Sequence, residues 1–99
     1  MHIMVCWDIS AEGDRWGVIN KSLLEGIQTF SWVKPLTTTY IIRVNGEQDR
    51  QNIQSELLLK AEAFSENVFF LITPVMPPGQ YQGYLPKSLW ADIGKRTGL

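Results

Sequence analysis

Hydrophobic residues along this chain fall into four short runs, and two longer segments between them have a helical period. Residues 3–10 (IMVCWDIS) begin with an uninterrupted apolar stretch, which is typical of a central strand covered on both faces. Residues 38–44 and 68–75 are rich in β-branched and aromatic side chains and predict two further strands. The alternating residues 30–34 predict a fourth strand. The short segment 35–37 predicts a hairpin loop, which makes this strand an antiparallel neighbour of strand 38–44.

Two segments between these runs have the period of an amphipathic helix. The first helix is expected over residues 15–28, with Asp14 as its N-cap. The second is expected over residues 50–64, with Asp49 in the same role. Apolar residues recur at spacings of three and four in both: Trp16, Ile19, Leu23 and Ile27, then Ile53, Leu57, Ala61 and Phe64. Each helix therefore buries one stripe against the sheet.

The order of elements is β-α-β-β-α-β followed by a C-terminal tail. This order predicts an α+β fold of the ferredoxin-like split β-α-β type, with a four-stranded antiparallel sheet and two helices on one face. A chain of 99 residues predicts one domain over residues 1–99, with a core at 1–76 and a tail at 77–99. Within the tail, Pro86 suits the first turn of a short helix that ends near residue 93.

The sheet face without helices needs another cover. The residues that reach this face, depending on register, are Trp7 or Cys6, Tyr40, Ile42, and Phe69 or Leu71. Exposed together they would form a large apolar patch, so we expect the tail, a second subunit or both to cover it. Residues 76–80 predict a linker, and Tyr81 and Tyr84 are expected to anchor the tail to the sheet. A homodimer is therefore predicted.

Composition narrows the class of protein. The net charge is −1 with a pI of about 5.7, which argues against a protein whose only task is to coat DNA or RNA. The single Cys6 excludes a fold stapled by intramolecular disulfides. No apolar run approaches the roughly 20 residues of a membrane span, and the N-terminus has no signal-peptide pattern. A cytoplasmic protein without a membrane partner is expected.

Asp8 is the candidate chemical group because a carboxylate ends an otherwise apolar strand. Such a group needs water, a backbone amide or a cation. One interpretation is a metal-binding or catalytic carboxylate at the rim of the sheet, and the other is a turn residue that accepts backbone amides of residues 11–14. Ser10, Glu12 and Asp14 crowd nearby, but their spacing does not match a calcium-binding loop.

Candidate contacts to nucleic acid are few. Arg15, Lys21 and Arg43 form a modest phosphate-binding surface if the fold gathers them, and otherwise they are solvated surface charges. The aromatic residues Trp16, Trp32 and Trp90 can stack on bases, but packing in the core or at a dimer interface is the favoured interpretation. His2 is the only histidine, so no hydrolytic triad is available within one subunit.

Four stretches carry a resemblance to a known family. They are Asp8-Ile9-Ser10, Arg15 with residues 21–24 (KSLL), residues 38–43 (TTYIIR) and residues 83–90 (GYLPKSLW). Together they resemble the small CRISPR-associated endonuclease that partners the spacer integrase, and its relatives, virulence-associated protein D and the SinR-family proteins. Trp7 stands where that family commonly has Tyr.

The resemblance implies a role for Asp8. In the nuclease members of the family, the Asp that ends the first strand pairs with its copy across a dimer. Two such carboxylates hold one divalent cation, Mg²⁺ or Mn²⁺, which activates a water for attack on phosphate. The function expected is therefore a dimeric, metal-dependent endonuclease or endoribonuclease of a phage-defence or toxin–antitoxin system. The alternative is a non-catalytic dimeric module that binds a protein partner through the same fold.

Overall fold

A computed structural model describes residues 2–75 and 82–97 of the chain, with side chains as far as residue 95. The elements along the chain are β1 (His2–Ile9), α1 (Gly13–Glu25), β2 (Trp32–Leu36), β3 (Thr39–Arg43), α2 (Glu47–Glu62), β4 (Val68–Pro74) and α3 (Lys87–Thr97). The predicted linker at residues 76–80 and the predicted anchor Tyr81 lie outside the described residues. The predicted sequence of strands and helices is confirmed.

The four strands form one open antiparallel sheet in the order β2-β3-β1-β4. β1 is central and pairs with β3 on one side and with β4 on the other. The amide of Trp7 donates to the carbonyl of Thr38, the residue just before β3. The amide of Ser10 donates to the carbonyl of Asn67, the residue just before β4. Odd-numbered residues of β1 thus bond to β3 and even-numbered residues to β4, as the alternation of an antiparallel ladder requires.

One face of the sheet, called here the first face, packs against α1 and α2. Its buried residues are Ile3, Val5, Trp7 and Ile9 from β1 and Tyr40 and Ile42 from β3. The two helices contribute Ile19 and Leu23 from α1 and Ile53 and Leu57 from α2. These are members of the two predicted helical stripes, so the period of three and four identified the helix surfaces that are buried. The predicted arrangement of two helices on one sheet face is confirmed.

The opposite or second face carries the alternate residues of the strands, including Met4, Cys6 and Ile41. Helix α3 covers the part of this face formed by β2 and β3, where Ile93 packs against Val33 and Ile41. The part around Phe69 and Leu71 of β4 stays open, and these side chains are 64% and 62% exposed. The tail thus covers part of the face within its own chain.

Some sequence expectations about the second face were wrong. Of the alternatives Trp7 and Cys6, Cys6 lies on this face, but Tyr40 and Ile42 lie on the first face, under the helices. Tyr84 does not anchor the tail, since it is 98% exposed. The tail is attached instead by apolar residues at helical spacing: Leu85, Leu89, Trp90 and Ile93. Helix α3 also continues beyond the expected end at residue 93, to Thr97.

Strand β2 is shifted relative to its prediction. The alternation predicted residues 30–34 with a stop at Pro35, but the strand runs from Trp32 through Pro35 to Leu36. Proline is tolerated there because β2 is an edge strand, and the register with β3 shifts between Val33 and Leu36. The hairpin loop is consequently the two residues 37 and 38.

The predicted N-caps are also corrected. Helix α1 begins at Gly13, so Asp14 lies inside its first turn, and the N-cap residue Glu12 makes no side-chain cap bond. Helix α2 begins at Glu47, which places Asp49 within the helix. Asp49 nevertheless accepts the backbone amide of Asn45 at 2.8 Å, so it reaches back to the residue before the cap. Both carboxylates still sit at the positive end of a helix dipole.

The helices are short. They comprise 13, 16 and 11 residues for α1, α2 and α3. A membrane span requires about 20 predominantly apolar residues. Across residues 2–75 and 82–97, no helix is long and apolar enough to cross a membrane.

Candidate functional site at the end of β1

Asp8 lies on the second face, on the part that α3 leaves open. It is the next-to-last residue of β1 and is exposed, whereas its neighbours Trp7 and Ile9 are buried on the first face. Its cross-strand partner in β4 is Phe69, so the two side chains lie on the same face. Cys6 precedes it on that face, opposite Leu71. Asp8 therefore stands at the polar end of an exposed apolar patch.

The carboxylate of Asp8 is not used to hold the following loop. None of the described amides or side chains donates a hydrogen bond to it, and no described cation pairs with it. The loop after β1 is closed instead by the amide of Ser10, which donates to the carbonyl of Asn67 at 2.9 Å. The turn-residue interpretation required bonds from residues 11–14, and these are not formed.

A shallow hollow of about 270 Å³ adjoins Asp8. Its walls are Cys6, Trp7, Asp8, Phe69, Phe70 and Leu71. The hollow contains one carboxylate and no cationic side chain among its lining residues. A phosphate approaching Asp8 would therefore meet a negative group, and only a bound cation can reverse that repulsion.

The donors available for a metal are limited within one subunit. Among the residues that the structure describes, no three His, Cys, Asp or Glu side chains come together as a metal-binding group. Asp8 alone offers two carboxylate oxygens. Mg²⁺ is commonly held by one or two carboxylates together with waters and substrate phosphates, so this donor set fits a cation that arrives with nucleic acid.

Arg15, the cation nearest to Asp8 in sequence among the candidates, is engaged elsewhere. Its Nη2 donates to Glu66 Oε1 at 3.1 Å, and its Nε donates to Glu66 Oε2. The guanidinium also lies over the ring of Phe64, 5.1 Å from the ring centroid. This bidentate pair ties the start of α1 to the loop before β4. Arg15 is thus a structural partner of Glu66 in the isolated chain.

The pair predicts a measurable pH dependence. The Arg15 guanidinium, by hydrogen bonding to the carboxylate, lowers the pKa of Glu66 to about 2 from its ordinary value of 4.5. The folded state therefore binds this proton more weakly than the unfolded state, so the pair stabilises the fold above pH 4.5 and loses that effect as the pH falls towards 2. We expect an NMR titration to show Glu66 titrating near pH 2.

The matched control for this titration is Arg15→Gln, which removes the charge but keeps a hydrogen-bond donor. The pKa of Glu66 should then return towards its ordinary range. An unchanged Glu66 pKa in Arg15→Gln would show that the arginine does not cause the shift.

The other predicted cations are not gathered around Asp8. Lys21 is exposed on α1, in the helix layer that covers the first face. Arg43 is exposed at the end of β3 and is the register partner of His2, at the end of β1 opposite to Asp8. Since a strand rises about 3.4 Å per residue, Arg43 and Asp8 are separated by roughly 20 Å along the strand direction. The predicted nucleic-acid surface of Arg15, Lys21 and Arg43 is thus divided between both faces.

The tryptophans serve packing. The Trp7 indole donates to Asn20 Oδ1 at 2.9 Å, and its ring lies 4.8 Å from that of Tyr40. Trp32 meets the same tyrosine ring edge-on at 5.3 Å. Trp16 packs against the core of the first face and Trp90 against that of the second. The favoured sequence interpretation, packing in the core, is confirmed for Trp16, Trp32 and Trp90.

A cavity that the sequence did not indicate lies between the sheet and the tail. It has a volume of about 350 Å³ and is mainly apolar, with Met4, Cys6 and Ile41 on the sheet side and Leu85 and Trp90 on the tail side. The hydroxyl of Thr39 donates to the Cys6 sulfur at 3.7 Å at its base. The position of the tail, Leu85 together with α3, creates this space, and no local sequence pattern predicts where the tail packs.

Comparison with known proteins does not extend this description. No protein-family model, curated protein or solved structure matches the chain. The function is therefore argued from the placement of Asp8 and from its surroundings.

Proposed function

We propose that this chain is a ferredoxin-like, homodimeric protein that cleaves RNA or DNA. In this proposal Asp8 binds the divalent cation, Mg²⁺ or Mn²⁺, on which cleavage depends. The observation that carries the proposal is the exposed Asp8 carboxylate, which ends a buried strand and has no partner among the described residues. Because no described group uses this charge, the carboxylate is available to bind a cation.

The ferredoxin-like assignment is supported by topology. In a split β-α-β fold, β1 lies between β3 and β4, β3 lies between β1 and β2, and all neighbours are antiparallel. The observed order β2-β3-β1-β4 with antiparallel pairs is compatible with that arrangement. The packing of α1 and α2 on one face supports it as well.

The chemistry proposed for Asp8 follows from its electrostatic surroundings. No cationic side chain lines the hollow beside Asp8. A cation bound by the carboxylate would therefore have to supply the positive charge that attracts a phosphate group. A cation bound by Asp8 would contact phosphate oxygens and polarise the phosphoryl group that is attacked. The cation would also lower the pKa of a water bound to it. Asp8 would hold the ion in place and accept hydrogen bonds from its waters.

Cation binding can be tested without any assay of activity. We expect Mn²⁺, added to the isotope-labelled protein together with a short phosphodiester such as a dinucleotide, to broaden amide resonances around Asp8, Phe69 and Leu71. Asp8→Asn keeps the shape but removes the charge, so the broadening should be lost there. The control variant Asp92→Asn, on α3, should behave like the wild type. Equal broadening in Asp8→Asn would contradict cation binding at this position.

A second candidate function is a non-catalytic module that binds a protein partner. It is favoured by one observation, the exposed apolar residues Phe69 and Leu71 beside a site that lacks cationic side chains. Its signature would be tight binding of a partner that depends on Phe69 and Leu71 but not on Asp8. Loss of Mn²⁺ broadening in Asp8→Asn favours the first function over this one.

A further inference from the structure

The two edges of the sheet differ in their protection against pairing with another strand. The β2 edge has five residues, contains Pro35 and the charged Lys34, and is interrupted by a register shift. The β4 edge has seven residues, and none of them is charged. Short strands, proline, charges and bulges are the devices that block edge-to-edge association. Among these, β4 has only a proline at its last position, Pro74.

The direction of the backbone groups on β4 follows from its ladder with β1. Asn67 accepts the amide of Ser10, so odd-numbered residues of this segment bond to β1. The backbone groups of Val68, Phe70 and Ile72 therefore point away from the sheet. Pro74 has the same parity, so the amide that it lacks is missing from the outer edge rather than from the ladder with β1. The outer edge thus offers the backbone groups of three alternate residues for pairing, and Pro74 ends the series because it has no amide proton.

We propose that β4 pairs with β4 of a second copy of this chain, antiparallel and about a two-fold axis at Phe70, to form a continuous eight-stranded sheet. This inference rests on the homodimer in the proposed function but not on its chemistry. In this register Phe70 faces its own copy, Val68 faces Ile72, and Phe69 faces Leu71. The three outward positions of each copy would form about six backbone hydrogen bonds, within the normal range for a protein interface.

Self-complementarity favours this register over its neighbours. Phe69 and Leu71 are 64% and 62% exposed in one chain, and here each covers the other across the axis. A register centred on Leu71 would instead place Pro74 opposite Val68, where proline cannot donate the ladder bond. A register centred on Phe69 would leave Leu71 opposite Asn67.

Charge compatibility points to a second copy as the occupant. A two-fold axis brings like residues together, so a charged edge strand would oppose itself. The segment Val68–Pro74 contains no charge, and in the Phe70-centred register the acidic Glu66 lies opposite Pro74 rather than its own copy. The arrangement therefore joins two identical strands without like-charge repulsion.

The dimer geometry has a consequence for Asp8. Strands lie about 4.8 Å apart and rise about 3.4 Å per residue, so the two Asp8 Cα atoms would be roughly 16 Å apart on the same face of the extended sheet. One cation cannot contact both carboxylates at that separation. Each subunit would therefore bind its own cation, and a saturating titration should give one Mn²⁺ per chain rather than one per dimer.

Disulfide cross-linking tests the register directly. All variants carry Cys6→Ser, because Cys6 is the register partner of Leu71 in the same chain. Phe69→Cys and Leu71→Cys change exposed side chains, so the fold should persist, which circular dichroism would verify. We expect co-expressed Phe69→Cys and Leu71→Cys chains to form the mixed disulfide readily, since their Cα atoms lie about 4.5 Å apart in a non-hydrogen-bonded pair.

Each single variant is the control for the other. In the proposed register, residue 69 and its copy are roughly 8 Å apart, beyond the reach of an unstrained disulfide, and the same holds for residue 71. Efficient cross-linking of either variant alone would overturn the register. Wild-type protein that is monomeric by light scattering at 100 μM, roughly the upper range for a specific weak dimer, would overturn the dimer itself.

Charge exchange supplies a second readout. The double variant Phe69→Glu/Leu71→Lys places opposite charges across the axis twice, so the dimer should persist. The double variant Phe69→Lys/Leu71→Lys places like charges there, so the affinity of the dimer should fall about tenfold or more. Equal dissociation of both double variants would contradict the pairing of residues 69 and 71. Asp8→Asn should dimerise like the wild type, so failure of the cation site and failure of this interface are distinguishable.

Discussion

Replacement of Leu57 by alanine is expected to lower the free energy of unfolding by about 2–5 kcal/mol. Leu57 is fully buried on α2, where it joins the core between the helices and the first face. Its Cδ2 methyl lies 3.2 Å from the place that a Cβ would occupy at Gly26, so the side chain fills the close approach of α1 and α2. Removing it leaves a cavity that neither helix can close without moving. Urea denaturation followed by circular dichroism measures the effect.

The matched control is Leu59→Ala on the same helix. Leu59 is 68% exposed, so its truncation should change the free energy of unfolding by no more than about 0.5 kcal/mol. Both substitutions carry the same helix-propensity change, and the difference between them therefore isolates burial. A loss below about 1 kcal/mol for Leu57→Ala would contradict the packing of α2 on the sheet. Since domains of this size are marginally stable, the larger loss removes a substantial part of the total.

The order of strands and helices was predictable because the hydrophobic period changes along the chain. Ile19 and Leu23 mark the buried face of α1, and Ile53 and Leu57 mark the buried face of α2. The element boundaries were less accurate. Pro35 looked like a strand end because proline lacks an amide, but it lies where the register of this edge strand with β3 shifts, and proline is tolerated at such a position.

The assignment of residues to sheet faces required the register. Alternation shows that Cys6 and Trp7 lie on opposite faces but not which one is covered by the helices. In the structure Trp7 is buried beneath α1, where its indole finds Asn20, and Cys6 lies on the second face. That hydrogen bond joins residues 13 positions apart, so no local sequence pattern predicts it. The docking of α3 over β2 and β3 is unpredictable for the same reason.

Asp8 was identifiable as a candidate from sequence because a carboxylate interrupts an apolar run. The sequence left open whether the following loop uses that carboxylate, and the structure shows that no described amide donates to it. The cations were harder to place. Arg15 is close to Asp8 in sequence, but its partner Glu66 is 51 residues away and becomes a neighbour only through the pairing of β1 with β4.

Replacement of Asp8 by asparagine is expected to reduce cation-dependent cleavage of nucleic acid by about 100-fold or more. Asparagine keeps the size of the side chain but loses the negative charge that we propose holds the cation. Since Asp8 is exposed and makes no described contact, the free energy of unfolding should change little. Cleavage rates of the wild type and the variant, measured with saturating Mg²⁺ or Mn²⁺, check this result.

The most direct test of the role proposed for Asp8 compares the wild type, Asp8→Asn and Asp14→Asn on labelled single- and double-stranded RNA and DNA. Each substrate is incubated with Mg²⁺, with Mn²⁺ and with chelator, after light scattering confirms the same oligomer for all three proteins. We predict metal-dependent cleavage by the wild type and by Asp14→Asn, which changes an exposed carboxylate in the first turn of α1. We predict that this cleavage is lost in Asp8→Asn. No cleavage by the wild type, or equal cleavage by Asp8→Asn, would contradict the role given to Asp8.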